Sequence, residues 1–273
     1  MLAKPIIVGT DGSAQSRHAA GWAARQAALC GAPLLIVSVI SVRRQASRVM
    51  LTGDTTGVTR EMAERALAET ARCAQQAAPG LTVGTLLLTG APALELTRQG
   101  QNASMLVIGC RGAGGLAAAG AGSVSRHLAA HAPCPVVIYT GQPPHRRPLI
   151  TVGFGEHDES EAAIGFAFEE AARRGAGLLA VQSAGWPGPA GADRDALGRL
   201  HELLDPWRRK YPDVHAREQI IQAGASQALA DMTATASLLV LGSPDPHPGS
   251  VSLTVLDHAH GPVAIVPFRE MSR

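Results

Sequence analysis

The sequence predicts an α/β fold made of two tandem open parallel five-stranded sheets with helices on both faces. Three observations carry this expectation. Short runs of Val, Ile and Leu alternate with longer Ala-rich stretches of helical period, the pattern of βαβ units. The same order of runs recurs in the second half. The core must be aliphatic, because 46% of the residues are hydrophobic and only 3% are aromatic, which suits helices layered on parallel strands.

In the first half, strands are expected at Ile6 to Gly9, Leu34 to Ile40, Thr82 to Leu88, Met105 to Gly109 and Val136 to Tyr139. Helices fall between them, at Ala14 to Gly31, Thr56 to Ala78, Ala91 to Gln101 and Ser123 to Ala132.

The proline-rich stretch from Gln142 to Pro148 has the composition of an exposed joint, so residues 1–141 and 148–273 are expected to be separate domains. Paired landmarks point to an internal duplication: IIVG at Ile6 and ITVG at Ile150, MLVIG at Met105 and LLVLG at Leu238, CPVVI and GPVAI. The offset is 133 from Met105 to Leu238 but 127 from Pro135 to Pro262. Six residues are therefore missing from the second copy, in the interval where the first is most unusual.

Composition excludes several classes. Lys plus Arg number 24 against 22 Asp plus Glu, too even a balance to hold nucleic acid or an anionic membrane. No run approaches the ~18 apolar residues of a membrane span, and the N-terminal apolar run, bounded by Lys4 and Asp11, is too short for a signal peptide. Cys30, Cys73, Cys110 and Cys134 form no metal-spaced cluster and read as reduced thiols in a cytoplasmic protein.

After the strand ending at Gly109, the segment from Cys110 to Gly122 contains five glycines, and Ser123-Val124-Ser125 opens a helix. Glycines permit close backbone approach, and amides at a helix start favour anions, so this is a candidate phosphate cradle with Ser123 as N-cap. A P-loop is rejected because the loop has no lysine. Gly112-Ala113-Gly114-Gly115-Leu116-Ala117 matches GxGxxA, but it is not in a first βα turn, and the acid expected about 20 residues on falls in an apolar strand.

The spacing Gly109-x2-Gly112-x9-Gly122-Ser123 remains, together with Gly9-Thr10-Asp11-Gly12-Ser13 after the first strand and Ala132-Pro133-Cys134-Pro135 before the last. In these three motifs the first half resembles the ATP-binding universal stress proteins, a family with a nucleotide α-hydrolase-like fold. The resemblance implies that Gly109, Gly112, Gly122, Ser123 and Ser125 hold phosphates and ribose, and that Gly9, Thr10 and Asp11 lie beside the nucleotide. It also implies that Val39 flanks adenine and that Ile108 and Val124 give backbone contacts. The cofactor implied is ATP, alone or with Mg, and the partner implied is a second copy of the chain in a homodimer. Within one chain, it implies that Pro135 to Tyr139 and Pro262 to Pro267 pair edge to edge. Asp11 also fits a helix-capping role, and an Ala/Gly-rich connection that binds nothing is the alternative for the whole loop.

The second half departs from this pattern. Gly155 aligns with Asp11, and the shortened loop Gly242 to Ser250 carries three prolines, which remove N–H donors. Gly249-Ser250 is left as a helix start, and the second half is expected not to bind ATP as the first does.

Smaller signals have ordinary readings. His127 and His131 share a helix face at i, i+4 but lack a third ligand, so no metal is assigned. Cys110 reads as a small buried residue, Arg111 and Arg126 receive no role, and Arg43 to Gly57 is either a lid or a connector. No positioned base, carboxylate pair or cationic clamp accompanies the loop, so no catalytic residue is named and at most weak ATPase activity is expected. The function expected is a nucleotide-dependent stress or signalling regulator. The alternatives are a ligand-free interaction module and an adenylyl-transfer or pyrophosphatase enzyme, whose HxGH and SGGxDS motifs are absent.

Overall fold

The computed structural model describes residues 3–41, 56–110, 121–141, 148–154, 160–183, 192–221, 224–243 and 251–267. It divides into two compact units, Met1–Tyr139 and Thr140–Arg273. Neither contains a helix long and apolar enough to cross a membrane, among the described residues.

Unit 1 contains β1 (Ile6–Thr10), α1 (Ala14–Cys30), β2 (Leu34–Ser41), α2 (Thr56–Ala77), β3 (Val83–Gly90), α3 (Pro92–Gly100), β4 (Met105–Gly109), α4 (Ser123–His131) and β5 (Val136–Tyr139). The strands lie in the order β3-β2-β1-β4-β5 and every pair is parallel. All five residues of β1 are buried, as a central strand covered on both faces requires. Helix α1 packs on α2 and α3 packs on α4, which puts one pair on each face of the sheet.

Unit 2 contains β6 (Leu149–Phe154), α5 (Ser160–Arg174), β7 (Gly177–Ser183), α6 (Ala192–Lys210), β8 (Ala216–Ile221), α7 (Ala225–Met232), β9 (Leu238–Gly242), α8 (Val251–His258) and β10 (Val263–Val266). Its parallel order is β8-β7-β6-β9-β10. Register confirms the duplication: Ile6 pairs with Leu34 and Met105, and Ile150 pairs with Leu178 and Leu238.

The α1 and α5 helices end alike. Gly31 and Gly175 take left-handed φ angles of 61° and 57°. Gly31 N donates to Ala28 O and Ala32 N to Ala27 O, while Gly175 N donates to Ala172 O and Ala176 N to Ala171 O. Both are Schellman closures, which satisfy carbonyls that the helix end would otherwise leave unpaired.

The expected strands and helices of unit 1 all form, with ends displaced by one or two residues. The N-cap of α4 is corrected: Gly122 occupies the cap, with φ −64° and ψ 163°, and Ser123 is the first helical residue.

Candidate functional site

Strand order reverses beside β1, because β2 lies on one side of it and β4 on the other. At such a switch point the connections leave toward opposite faces and open a crevice at the C-terminal strand ends. The pairing of Gly9 with Ile108 sets Thr10-Asp11 beside Gly109-Cys110 there.

The turn from β1 to α1 is held by side chains. Asp11 Oδ1 accepts from Ser13 N at 3.0 Å, Thr10 Oγ1 accepts from Gly12 N at 3.2 Å, and Arg17 Nη1 donates to Gly12 O. Gly12 has a φ of 80°, which suits glycine, and a Cβ there would lie 2.9 Å from that of Ala66 in α2. Ser13 is the N-cap of α1 and accepts from Ser16 N at 3.2 Å, so Asp11 serves the turn and not the helix cap.

Thr10 turns its side chain inward and is only 7% exposed. Its Oγ1 lies 3.0 Å from Ser16 Oγ and 3.1 Å from Thr70 Oγ1. Thr70 Oγ1 donates to Ala66 O and Ser16 Oγ donates to Ser13 O, so the Thr10 proton serves only one of its two hydroxyl neighbours at a time. Its hydroxyl therefore anchors the strand tip to α1 and α2, and what Thr10 offers the crevice is backbone. Gly9 is likewise a packing position, with Leu96 Cδ1 3.0 Å and Ile108 Cγ2 3.1 Å from where a Cβ would sit.

On the β4 side, Cys110 O gathers the neck of the glycine loop by accepting from Gly122 N at 3.0 Å and Ser125 Oγ at 3.2 Å. Ser125 is 2% exposed, so its hydroxyl clamps the loop from within. Cys110 is 4% exposed and donates its N–H to Tyr139 O, which makes it part of the sheet. At the outer rim Ser123 is exposed and Val124 half-buried, and with a glycine cap no side chain among the described residues caps the first-turn amides of α4. Val39 is half-buried near the end of β2, opposite Leu88. Gly112 and Arg111, and most of Arg43 to Gly57, lie outside the described residues.

Ser16, Thr70 and Arg17 belong to this site although no motif in the sequence marks them. Ser16 had a signal, its spacing of three from the cap residue Ser13; Thr70 had none, since its partner is 60 residues away. His127 and His131 stack with centroids 4.6 Å apart, and burial first, then the neighbouring His131, holds the His127 imidazole below its ordinary pKa. Among the described residues no three His, Cys, Asp or Glu side chains converge as a metal site.

Unit 2 repeats the scaffold of this corner. Gly153 meets Leu241 and Leu229 as Gly9 meets Ile108 and Leu96, and Ser252 Oγ donates to Gly242 O at 3.2 Å as Ser125 does toward β4. Gly155 and Asp158, and the Pro244 to Ser250 stretch with its expected helix start, lie outside the described residues.

Two parallel sheets of the same strand order, each with a switch point beside its first strand and the first with a glycine-rich loop there, define a tandem doubly wound α/β protein. The model of the universal stress protein family matches residues 3–140 and again 148–267. The chain is 32% identical over 284 residues to universal stress protein Rv2005c of Mycobacterium tuberculosis, covering 95% of this chain and 96% of that one. It is 34% identical over 285 residues to a universal stress protein of Mycolicibacterium smegmatis, covering 96% of each. The crystal structure of a universal stress protein from Archaeoglobus fulgidus superposes with a TM-score of 0.74 at 18% identity, covering 100% of this chain and 98% of that one. The chain belongs to the universal stress protein family, in its tandem two-domain form.

Proposed function

We propose that unit 1 binds ATP and that this cytoplasmic protein is a nucleotide-dependent stress or signalling regulator that hydrolyses ATP slowly or not at all. The observation that carries this reading is the glycine cap of α4. Among the described residues it leaves the first-turn amides without a side-chain cap, at a loop neck that opens on the switch point.

In this reading Gly109, Gly112, Gly122 and the amides of Ser123, Val124 and Ser125 hold the phosphates, with or without Mg. Asp11 and the backbone of Gly9 and Thr10 lie beside the nucleotide, Val39 flanks the base and Ile108 gives a backbone contact. The parts a fast phosphoryl-transfer enzyme uses, a positioned base and cationic clamps, have no candidates in the motif, which favours binding over turnover. Unit 2 keeps the scaffold without the long glycine loop and is not expected to bind ATP in the same way.

The test is calorimetric titration of ATP, with and without magnesium, into nucleotide-free protein and into Gly122→Glu. One site per chain, lost in the variant, is the expected result. Two sites would refute the division of labour between the units, and no site would leave a ligand-free interaction module.

A further inference from the structure

Within unit 1 the strand order ends at β5 and β3, and the two ends differ. All four residues of β5 are buried. Along β3, Gly84, Thr85 and Thr89 are exposed and Leu86, Leu87 and Leu88 only half-buried. Among the described residues β3 pairs with β2 and with no second strand.

A bare strand edge presents a row of backbone N–H and C=O groups, and proteins blunt such edges with charge, proline, bulges or short strands. The β3 sequence VGTLLLTG has no charge and no proline over eight residues, and its register with β2 is continuous from Val83 to Gly90. The outer strand of unit 2 is built in the opposite way. β8 carries Arg217 and Glu218, and Arg208 of α6 reaches across to donate to Ala216 O at 3.3 Å and to Glu218. Among the described residues one outer strand is guarded and the other is not.

We infer that β3 is an association edge and that its occupant is the β3 strand of a second copy of this chain, paired antiparallel about a two-fold axis. A backbone edge selects another strand, and an isologous contact sets the same strand against itself. An uncharged strand meets its copy without like-charge repulsion at any register. Alternating side chains place Leu86 and Leu88 on one face and Leu87 on the other, so an added strand covers half-buried leucine on both faces. Helix α2, which packs on β3, is also compatible with its own copy: Arg60, Arg65 and Arg72 balance Glu61, Glu64 and Glu69. This inference is independent of nucleotide binding.

Sedimentation velocity on the full chain tests it, with Leu87→Lys and Thr85→Pro on β3 and Gln219→Lys on β8. The expected result is a concentration-dependent dimer whose dissociation constant rises by about tenfold or more in each β3 variant and is unchanged in the β8 variant. Hydrogen exchange on the wild-type chain serves if the variants fail to fold: the amides of Val83–Gly90 gain protection as concentration rises. A wild-type chain that stays monomeric overturns the inference, as does a dimer that the β3 variants leave intact. Amides protected only by an added extended peptide would assign the edge to a peptide and overturn the second-copy reading.

Discussion

Gly109 lies against Gln15 so closely that a Cβ on the glycine would sit 3.1 Å from the Gln15 carbonyl carbon and 3.2 Å from Ser16 N. The last residue of β4 thus sets how near the first turn of α1 comes to the glycine loop. The obstacles include backbone atoms in a capped helix, which cannot swing aside as a flexible side chain can.

Gly109→Ala is accordingly expected to destabilise the chain by about 1–3 kcal/mol, the usual cost of overpacking. It should also weaken ATP binding, because relief of the clash moves α1 away from the crevice. Urea denaturation and ATP titration on the same variant read the two effects. A variant as stable as wild type would mean that α1 yields freely, and the proposed role of this contact would fail.

Two equivalent glycines are predicted to respond with opposite sign. Gly21 and Gly165 each precede their helix-closing glycine by ten residues. A Cβ on Gly21 would meet Ala77 Cβ at an ordinary 3.8 Å, whereas one on Gly165 would meet Trp207 Cη2 at 2.5 Å. That indole stacks with Phe168 and Tyr211 at centroid distances of 6.3 and 6.5 Å and has little room to move. Gly21→Ala should therefore stabilise by about 0.5–1 kcal/mol through helix propensity, and Gly165→Ala should destabilise by about 1–3 kcal/mol. Thermal midpoints that shift in the same direction would contradict this.

In α5 the buried charge is the carboxylate. The Glu170 side chain is 0% exposed, against 40% for Arg173 and 16% for Arg174. Arg174 donates to Glu170 Oε2 through Nε at 3.2 Å and Nη2 at 3.1 Å. Removing Arg174 takes away two charge-assisted hydrogen bonds and leaves Arg173 Nη1, 3.0 Å from Oε1, on that carboxylate, so Arg174→Ala is expected to cost about 3 kcal/mol. Glu170→Gln keeps the size and an acceptor and lets the arginines turn toward water; about 1–2 kcal/mol is expected. Urea midpoints ranking the two in the reverse order would show that taking one arginine from the buried carboxylate is not the larger cost.

Much of the architecture was legible because it rests on local pattern. β4 and β5 form where their apolar runs predict, and α1 spans the expected helix but for its last residue, Gly31, which turns left-handed and closes it. The site was less legible, for physical reasons. Ser123 and Gly122 both suit a cap, and what separates them is the Gly122 N–H bond to Cys110 O, a tertiary contact. The resemblance implies Thr10 and Ser125 as ligand contacts; in the fold both hydroxyls are buried and hold elements together, so what these residues offer a ligand is backbone. The Thr10 partner on α2 has no sequence periodicity to announce it.

Acid should act on the α6–β8 corner of unit 2. Burial alone would raise the Glu218 pKa, but hydrogen bonds from Arg208 and from His201, the latter at 3.0 Å, outweigh it and hold the carboxyl below its ordinary range. The folded pKa therefore lies below the unfolded one, about 4.3 for a free glutamate. The stability this group contributes is fully present above the unfolded value and is lost as pH falls through the folded value. The stability difference between wild type and Glu218→Gln, measured in urea, should be constant above about pH 6 and shrink through pH 4 and below. His201→Ala removes one of the two stabilising bonds and so raises the folded pKa, and in that background the loss should begin at the same pH but be smaller and complete at a higher pH. A difference that widens on acidification would show that Glu218 is held protonated in the fold, the reverse of what its two donors impose.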